Sequence, residues 1–169
     1  MKTAYIGIGS NLGDRLENLK RSIEMLSAER EISVQSVSAI YETDPVGGPE
    51  QDPFLNACAA LATTLSPTML LLKMFEIEDK MGRVREERWG PRNIDLDLLI
   101  YEGVMMNTPI LKLPHPLIAE RNFVLVPMAD INPDLLIPGI DITISKALSA
   151  RRPAEDVKLF QPSNWYTIR

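Results

Sequence analysis

A single cysteine among 169 residues excludes an intrachain disulfide, and the single histidine beside it leaves too few nitrogen and sulfur ligands for a zinc site. No apolar run approaches the ~20 residues that a membrane-spanning helix needs. The start, Met1 to Gly9, is too short and too interrupted by glycine for the apolar region of a secretory leader. Two nucleotide-binding fingerprints are also missing. There is no G-x-x-x-x-G-K-[ST], and Gly7, Gly9 and Gly13 depart by one residue from G-x-G-x-x-G, with no acidic residue closing a second parallel strand about 20 residues on. These glycines read as tight-turn residues. Positive charge is in deficit, with a net charge of −5 and a pI near 5.0. General nucleic-acid binding usually needs a broadly basic surface, so small anionic ligands are the better match. The expectations are a cytoplasmic chain with no nucleic-acid or membrane partner, and a reduced, buried thiol at Cys58 within the apolar run Phe54 to Leu65.

What is present is an ordinary globular composition, 45% hydrophobic and 24% charged, without a linker-like stretch; one domain, residues 1–169, is expected. Against the acidic background, residues 80–92 gather five cations (Lys80, Arg83, Arg85, Arg88, Arg92) against two anions (Glu86, Glu87). This basic arm runs directly into Asn93-Ile94-Asp95-Leu96-Asp97-Leu98-Leu99-Ile100. In a strand, Asp95 and Asp97 share one face, while Ile94, Leu96, Leu98 and Ile100 share the other. One carboxylate pair clamps two Mg²⁺ ions about 3.5–4 Å apart when substrate phosphate supplies further oxygens, and guanidinium groups suit that phosphate. Asp-x-Asp alone also describes any half-solvated strand. The neighbouring cations tilt the reading toward a polyanion that arrives with its own metal.

Along the chain, residues 3–9 read as a buried strand. Asp14 with Glu17 forms a capping-box pattern, and Leu16, Leu19, Ile23 and Leu26 make one helical stripe. Ile32 to Tyr41 reads as a strand with a bulge between Val34 and Val37. A proline- and glycine-rich loop follows over residues 43–53, of a length that is usually functional. Phe54 to Leu65 reads as a central strand, Ser66-Pro67 as the start of a second helix with the stripe Leu70, Met74, Ile77 and Met81, and Gly82 as its stop. After the Asp-x-Asp strand, a hairpin is expected around Glu102-Gly103. Pro127 should limit the start of a partly helical segment 123–129, and Thr143 to Ala150 suggests a short surface helix. The order is that of an α+β, ferredoxin-like βαββαβ sandwich: a four-stranded antiparallel core sheet, two helices on one face, and short C-terminal helices. The other face is left to carry a site. The tail after Pro153 carries no functional signal.

Position alone makes Glu78, at the end of the second helix, a solvated residue. His115, held between Pro114 and Pro116, is suited to donate to phosphate. Trp89, in a polar turn-rich arm, suits stacking on a planar ring, whereas Phe54 and Phe123 lean toward the core.

Arg88-x-Gly90-Pro91-Arg92-x-x-Asp95-Leu96-Asp97-Leu98-Leu99 resembles the signature of the 6-hydroxymethyl-7,8-dihydropterin pyrophosphokinases of folate biosynthesis. The resemblance extends to Tyr5 to Gly13, Tyr41 to Gly47, Phe54-Leu55-Asn56, and Pro114-His115-Pro116 with Arg121 and Phe123. It implies Mg-dependent transfer of the β,γ-pyrophosphoryl group of ATP to the pterin hydroxymethyl oxygen, releasing AMP. By motif, Asp95 and Asp97 hold two Mg²⁺ ions. Arg83, Arg85, Arg92, His115 and Arg121 meet the triphosphate, and Glu78 and Leu98 surround the nucleoside. Thr43, Asp44, Val46, Phe54, Asn56 and Phe123 receive the pterin beside Asp95, and Arg88-Trp89 closes over both ligands. Catalysis then falls to Arg83, Arg85, Arg92, Asp95 and Asp97, in a chain expected to be a monomer. Two rivals stay open at this level. A palm-like nucleotidyl transferase would release pyrophosphate, and a ferredoxin-like regulatory module for nucleotide or RNA would turn nothing over.

Overall fold

Alternation in β1 (Lys2–Ser10) gives the strand an aliphatic face, Ala4, Ile6 and Ile8, and an opposite face that ends nearly bare at Gly7 and Gly9. The computed structural model describes residues 1–45, 50–82, 91–151 and 156–168. Asp14 caps α1 (Arg15–Ser27) by accepting from the Glu17 N–H at 3.1 Å, and Leu19, Ile23 and Leu26 are fully buried on the expected stripe. The expected second strand is two strands, β2 (Ile32–Val37) and β3 (Ile40–Thr43), both paired with β4 (Phe54–Thr63). The break has a partner. Ser38 donates its N–H to Cys58 O at 2.9 Å and accepts the Cys58 N–H on its hydroxyl at 2.9 Å. The irregularity between Val34 and Ser36 lies where the bulge was expected.

Ser66 caps α2 (Pro67–Lys80) with Pro67 in its first turn, and Gly82 at φ 78° ends it as its freedom in the left-handed region allows. Strand β5 (Asp95–Tyr101) completes an antiparallel sheet of order β5-β1-β4-β3, with β2 also on β4. Helices α1 and α2 cover the aliphatic face, each fully buried Ile or Leu there contributing about 1.5–3 kcal/mol. One expectation fails within β5. Ile94, Leu96 and Leu98 join this core, but Ile100 joins Leu99 in the cluster on the other face. The register explains it: Ile6 pairs with Leu98 and Tyr5 with Ile100, so Leu99 is an extra residue and alternation reverses.

The second face is not left free along its whole length. Helix α3 (Asn122–Ile131) packs on β4 through Val124, Leu125 and Met128, and α4 (Ile144–Ser149) adds Ile144 and Ala147. Helix α3 starts five residues before Pro127, which is buried. Tertiary packing there outweighs the local penalty of an interior proline. After the turn at Gly103 (φ 73°), the chain makes only a bridge between Tyr101 and Val104. The next strand, β6 (Met106–Asn107), pairs instead with β7 (Lys112–Leu113). The tail supplies β8 (Val157–Gln161), which pairs with β3 and extends the sheet, and Trp165, whose indole N–H donates to Ser38 O at 2.7 Å. No helix among the described residues is long and apolar enough to cross a membrane.

Candidate active site

Where α3 stops covering the second face, the sheet floor becomes glycine and carboxylate. Register sets Gly7 beside Asp97 and Gly9 beside Asp95 on the neighbouring strand, and Gly9 beside Asn56 on the other side. A Cβ on Gly9 would stand 3.0 Å from Asn56 Oδ1, so only glycine leaves that amide in place. Above the floor opens a cavity of about 680 Å³.

Ten of the residues singled out from the sequence line it: Thr43, Asp44, Phe54, Asn56, Arg92, Asp95, Asp97, His115, Arg121 and Phe123. They fall into two groups. Asn56, buried, donates through Nδ2 to the Thr43 hydroxyl at 2.6 Å, beside the half-buried rings of Phe54 and Phe123. Those two rings therefore belong to the cavity wall rather than the core. At the carboxylate end, Arg92 Nη1 donates to Asp95 Oδ2 at 2.7 Å. The Arg121 guanidinium lies 5.4 Å from the centre of the Phe123 ring, a cation–π distance that joins the groups. Arg83, Arg85, Arg88, Trp89 and Val46 lie outside the described residues.

Burial, the Asp95 charge and, more weakly, Glu78 push the Asp97 carboxyl above the ordinary carboxylate range, against the opposing pull of Arg121 and Arg92. Two crowded carboxylates of this kind are the donor set that a divalent cation relieves. Among the described residues no cluster of three or more His, Cys, Asp or Glu forms a closed metal cage. Mg²⁺ needs none, because it retains water and takes one or two carboxylates together with phosphate oxygens. The pair therefore fits Mg²⁺ that would arrive with a phosphate ligand. His115 accepts the Leu117 N–H on Nδ1 at 3.1 Å, which in the neutral ring leaves the proton on Nε2 as a donor. Burial and Arg121 lower its pKa, and Asp95 opposes them.

One expectation is corrected. Glu78 is not solvated; it is fully buried behind β5, where its Oε1 accepts the Leu96 N–H at 2.7 Å. It lines neither this cavity nor the adjoining one. The sequence did hold a signal, since Glu78 sits four residues after Met74 and three before Met81, on the buried stripe. The Leu98 side chain likewise points into the α1/α2 core. It borders a smaller cavity of about 310 Å³ at the outer edge of β5, enclosed also by Phe75, Ile110, Lys112 and His115. His115 thus stands between the two cavities.

Other lining residues carried no pattern in the sequence: Gln51, Glu120, Asn122, Arg151 and Asp156. Arg151 Nε donates to Asn122 Oδ1 at 2.7 Å, tying the end of α4 to the start of α3. Cys58 is buried beneath the cavity as expected. Burial, with Asp130 and Asp97 nearby, raises its thiol pKa and keeps it protonated.

Residues 5–133 match the family model described as 7,8-dihydro-6-hydroxymethylpterin-pyrophosphokinase. The chain is 48% identical over 154 residues to the 2-amino-4-hydroxy-6-hydroxymethyldihydropteridine pyrophosphokinase of Methylorubrum extorquens, across 91% of this chain and 96% of the relative. The enzyme of the same name in Bacillus subtilis is 46% identical over 128 residues, across 76% and 77%. Among solved structures, wild-type Plasmodium falciparum HPPK-DHPS with pteroate is similar with a TM-score of 0.74. At 12% identity that likeness concerns the fold alone, and the match covers 94% of this chain but 47% of the Plasmodium chain.

Proposed function

The chain belongs to the 7,8-dihydro-6-hydroxymethylpterin-pyrophosphokinase family, and from that premise we propose how its residues divide the transfer of pyrophosphate from ATP to hydroxymethyldihydropterin. The observation that carries the assignment is the single cavity in which Asp95 and Asp97 separate an aromatic-amide pocket from a cluster of cationic and donor groups.

In the pocket, Asn56 and Thr43 read the hydrogen-bonding edge of the pterin, and Phe54 and Phe123 hold its ring plane. The hydrogen bond from Asn56 to Thr43 fixes the amide before ligand arrives, which lowers the ordering cost. At the other end Arg92, Arg121 and the Nε2 proton of His115 meet the triphosphate. Arg92 is already held by Asp95 Oδ2, so its remaining N–H groups are aimed without further reorganisation. The base and sugar lie toward the smaller cavity at the β5 edge, where Leu98 contributes its backbone position rather than its side chain. Glu78 serves from behind, securing β5 at Leu96 between the two aspartates. By motif alone, Arg83, Arg85 and Arg88-Trp89 complete the phosphate and lid contacts, and Val46 the pterin side.

Asp95 and Asp97 would hold two Mg²⁺ ions, which would supply charge neutralisation and orientation for the phosphates. A bond forms from the hydroxymethyl oxygen to the β-phosphorus. The bond from that phosphorus to the oxygen bridging the α-phosphate breaks, AMP leaves with that oxygen, and the hydroxyl proton is released to water. Positioning and charge stabilisation account for the acceleration, with no strong general base among the lining groups. We further assign the chain a single domain, residues 1–169, acting as a monomer in the cytoplasm. The non-catalytic nucleotide- or RNA-binding alternative has no support in the family match.

The test is a product assay with Mg-ATP, with and without 6-hydroxymethyl-7,8-dihydropterin, repeated in EDTA. AMP should form only when pterin and metal are both present. Pyrophosphate as the released product would instead indicate nucleotidyl transfer.

A further inference from the structure

Three of the four described α-helices begin on a side-chain cap: Asp14, Ser66 and Thr143 accept the third N–H of α1, α2 and α4. Helix α3 does not. Arg121 stands at its cap position, and arginine has no acceptor to offer a backbone N–H. The first N–H groups of a helix have no partner within it, so an uncapped turn frays unless something else holds it. The turn at stake bears Arg121 and Phe123, a cation of the phosphate end and a ring of the pterin pocket.

Support comes from the next helix. Arg151, just past the end of α4, donates through Nε to Asn122 Oδ1 at 2.7 Å, and Asn122 is the first residue of α3, between Arg121 and Phe123. Asn122 Nδ2 donates in turn to Asp156 Oδ1 at 3.4 Å, so the amide is held at both ends. Arg151 has a fixed base. Its backbone N–H bonds to Leu148 O at 3.1 Å, and buried Ile144 and Ala147 anchor α4 in one cluster with Val124 and Leu125 of α3. Arg151 and Asp156 both lie beyond residues 5–133 matched by the family model, yet both line the cavity.

We propose that Arg151 is a positioning residue: through Asn122 it braces the uncapped first turn of α3 and so holds Arg121 and Phe123 toward their ligands. This deepens, and rests on, the assignment of the two halves of the cavity given above. The closed turn is seen in two bonds, from the Val124 and Leu125 N–H groups to Arg121 O, each 3.0 Å. Without the brace the turn opens more often, and the ring and guanidinium spend less time where substrate meets them. Lys146 supplies the contrast. It is an exposed cation on the same helix with no bond to Asn122.

The experiment pairs two readouts on the full chain, and because Arg151 is exposed its removal leaves the core untouched. Without ligands, the Val124 and Leu125 amides should exchange hydrogen about fivefold faster in Arg151→Ala than in wild type, with α1 and α2 unchanged. Calorimetric titration of 6-hydroxymethyl-7,8-dihydropterin, at saturating Mg²⁺ and α,β-methylene-ATP, should show affinity about fivefold lower at unchanged stoichiometry, the effect of losing a helix cap. Asn122→Ala should lose as much, and adding Arg151→Ala to it should lose nothing more. Lys146→Ala should match wild type. Unchanged affinity in Arg151→Ala overturns the proposal even where exchange accelerates, because the bond would then be structural only. Losses that multiply in the double variant overturn it too, since Arg151 would then act on ligand without Asn122. So does an equal loss in Lys146→Ala, which would be a general effect of charge. A wild-type chain whose exchange responds as expected but which binds neither ligand and forms no AMP would instead overturn the functional assignment on which the proposal rests.

Discussion

The two faces of one sheet divide the labour of this protein, and adjacent residues of the same strands serve opposite ends. Ile6, Ile8, Leu96 and Leu98 point into a closed aliphatic core under α1 and α2. Their neighbours Gly7, Gly9, Asp95 and Asp97 point the other way into open, charged space. The backbone is common to both, so the core face makes the opposite face rigid enough to hold two carboxylates side by side despite their repulsion. Substitution on one face should therefore alter stability, and on the other chemistry, with little exchange between them.

The largest effect should come from the carboxylates. Asp97→Ala should lower AMP formation by at least ~10³-fold, the order lost when a principal charge-stabilising group is removed. Its thermal unfolding midpoint should stay level or rise, because a crowded, partly buried carboxyl has gone. A variant with near-normal turnover would break the metal assignment. On the core face, Ile6→Ala leaves a void at a fully buried site and should cost about 2–5 kcal/mol in urea unfolding. AMP formed per folded molecule should be unchanged, and a matching loss of turnover would mean that the faces are not independent. Gly9→Ala sharpens the comparison at smaller scale. Its Cβ would press on Asn56 Oδ1, and a loss of ~1.4 kcal/mol in pterin binding, about tenfold, is expected. Calorimetry measures that change, and restored affinity in a variant with Asn56 also shortened would identify the contact responsible.

The sequence made the core face readable because its physics is periodic. Steps of three and four in α1 and α2, caps at Asp14 and Ser66, and alternation around the Asp-x-Asp pair all correspond to structure. The site was readable where types cluster, as in Arg92, Asp95 and Asp97, whereas His115 stood out by its flanking prolines and Arg121 only through the family resemblance; all five line one cavity. Three things escaped for physical reasons. The extra residue at Leu99 moves Ile100 across the sheet, and only cross-strand register reveals such a bulge. The buried stripe of α2 includes the position of Glu78, but its partner Leu96 lies 18 residues on and that of buried Asn11, Asp52, more than 40, and no local pattern encodes such distant backbone bonds. Strand β8 gains its place by pairing with β3, and its apolar residues Leu159 and Phe160 stay exposed, so their pattern marks no buried face.

The smallest effect lies at the boundary between the faces' two cavities, and it is the one most cleanly observed. His115 is the sole histidine, so its ring resonances in a nitrogen-correlated NMR spectrum need no assignment. Burial and the Arg121 cation depress its pKa below 6.5, and Asp95 opposes them only in part. The ring should titrate below that value, with Nδ1 as acceptor and Nε2 protonated above the midpoint. Linkage sets the sign. A histidine depressed in the folded state binds protons more readily when unfolded, so its contribution to stability is complete above 6.5 and is lost as pH falls through the folded midpoint. Arg121→Ala should move the midpoint up, and Asp95→Asn should move it further down. An upward shift in Asp95→Asn would contradict the placement of the ring between cation and carboxylate, and with it the role of His115 as a neutral donor at the phosphate end.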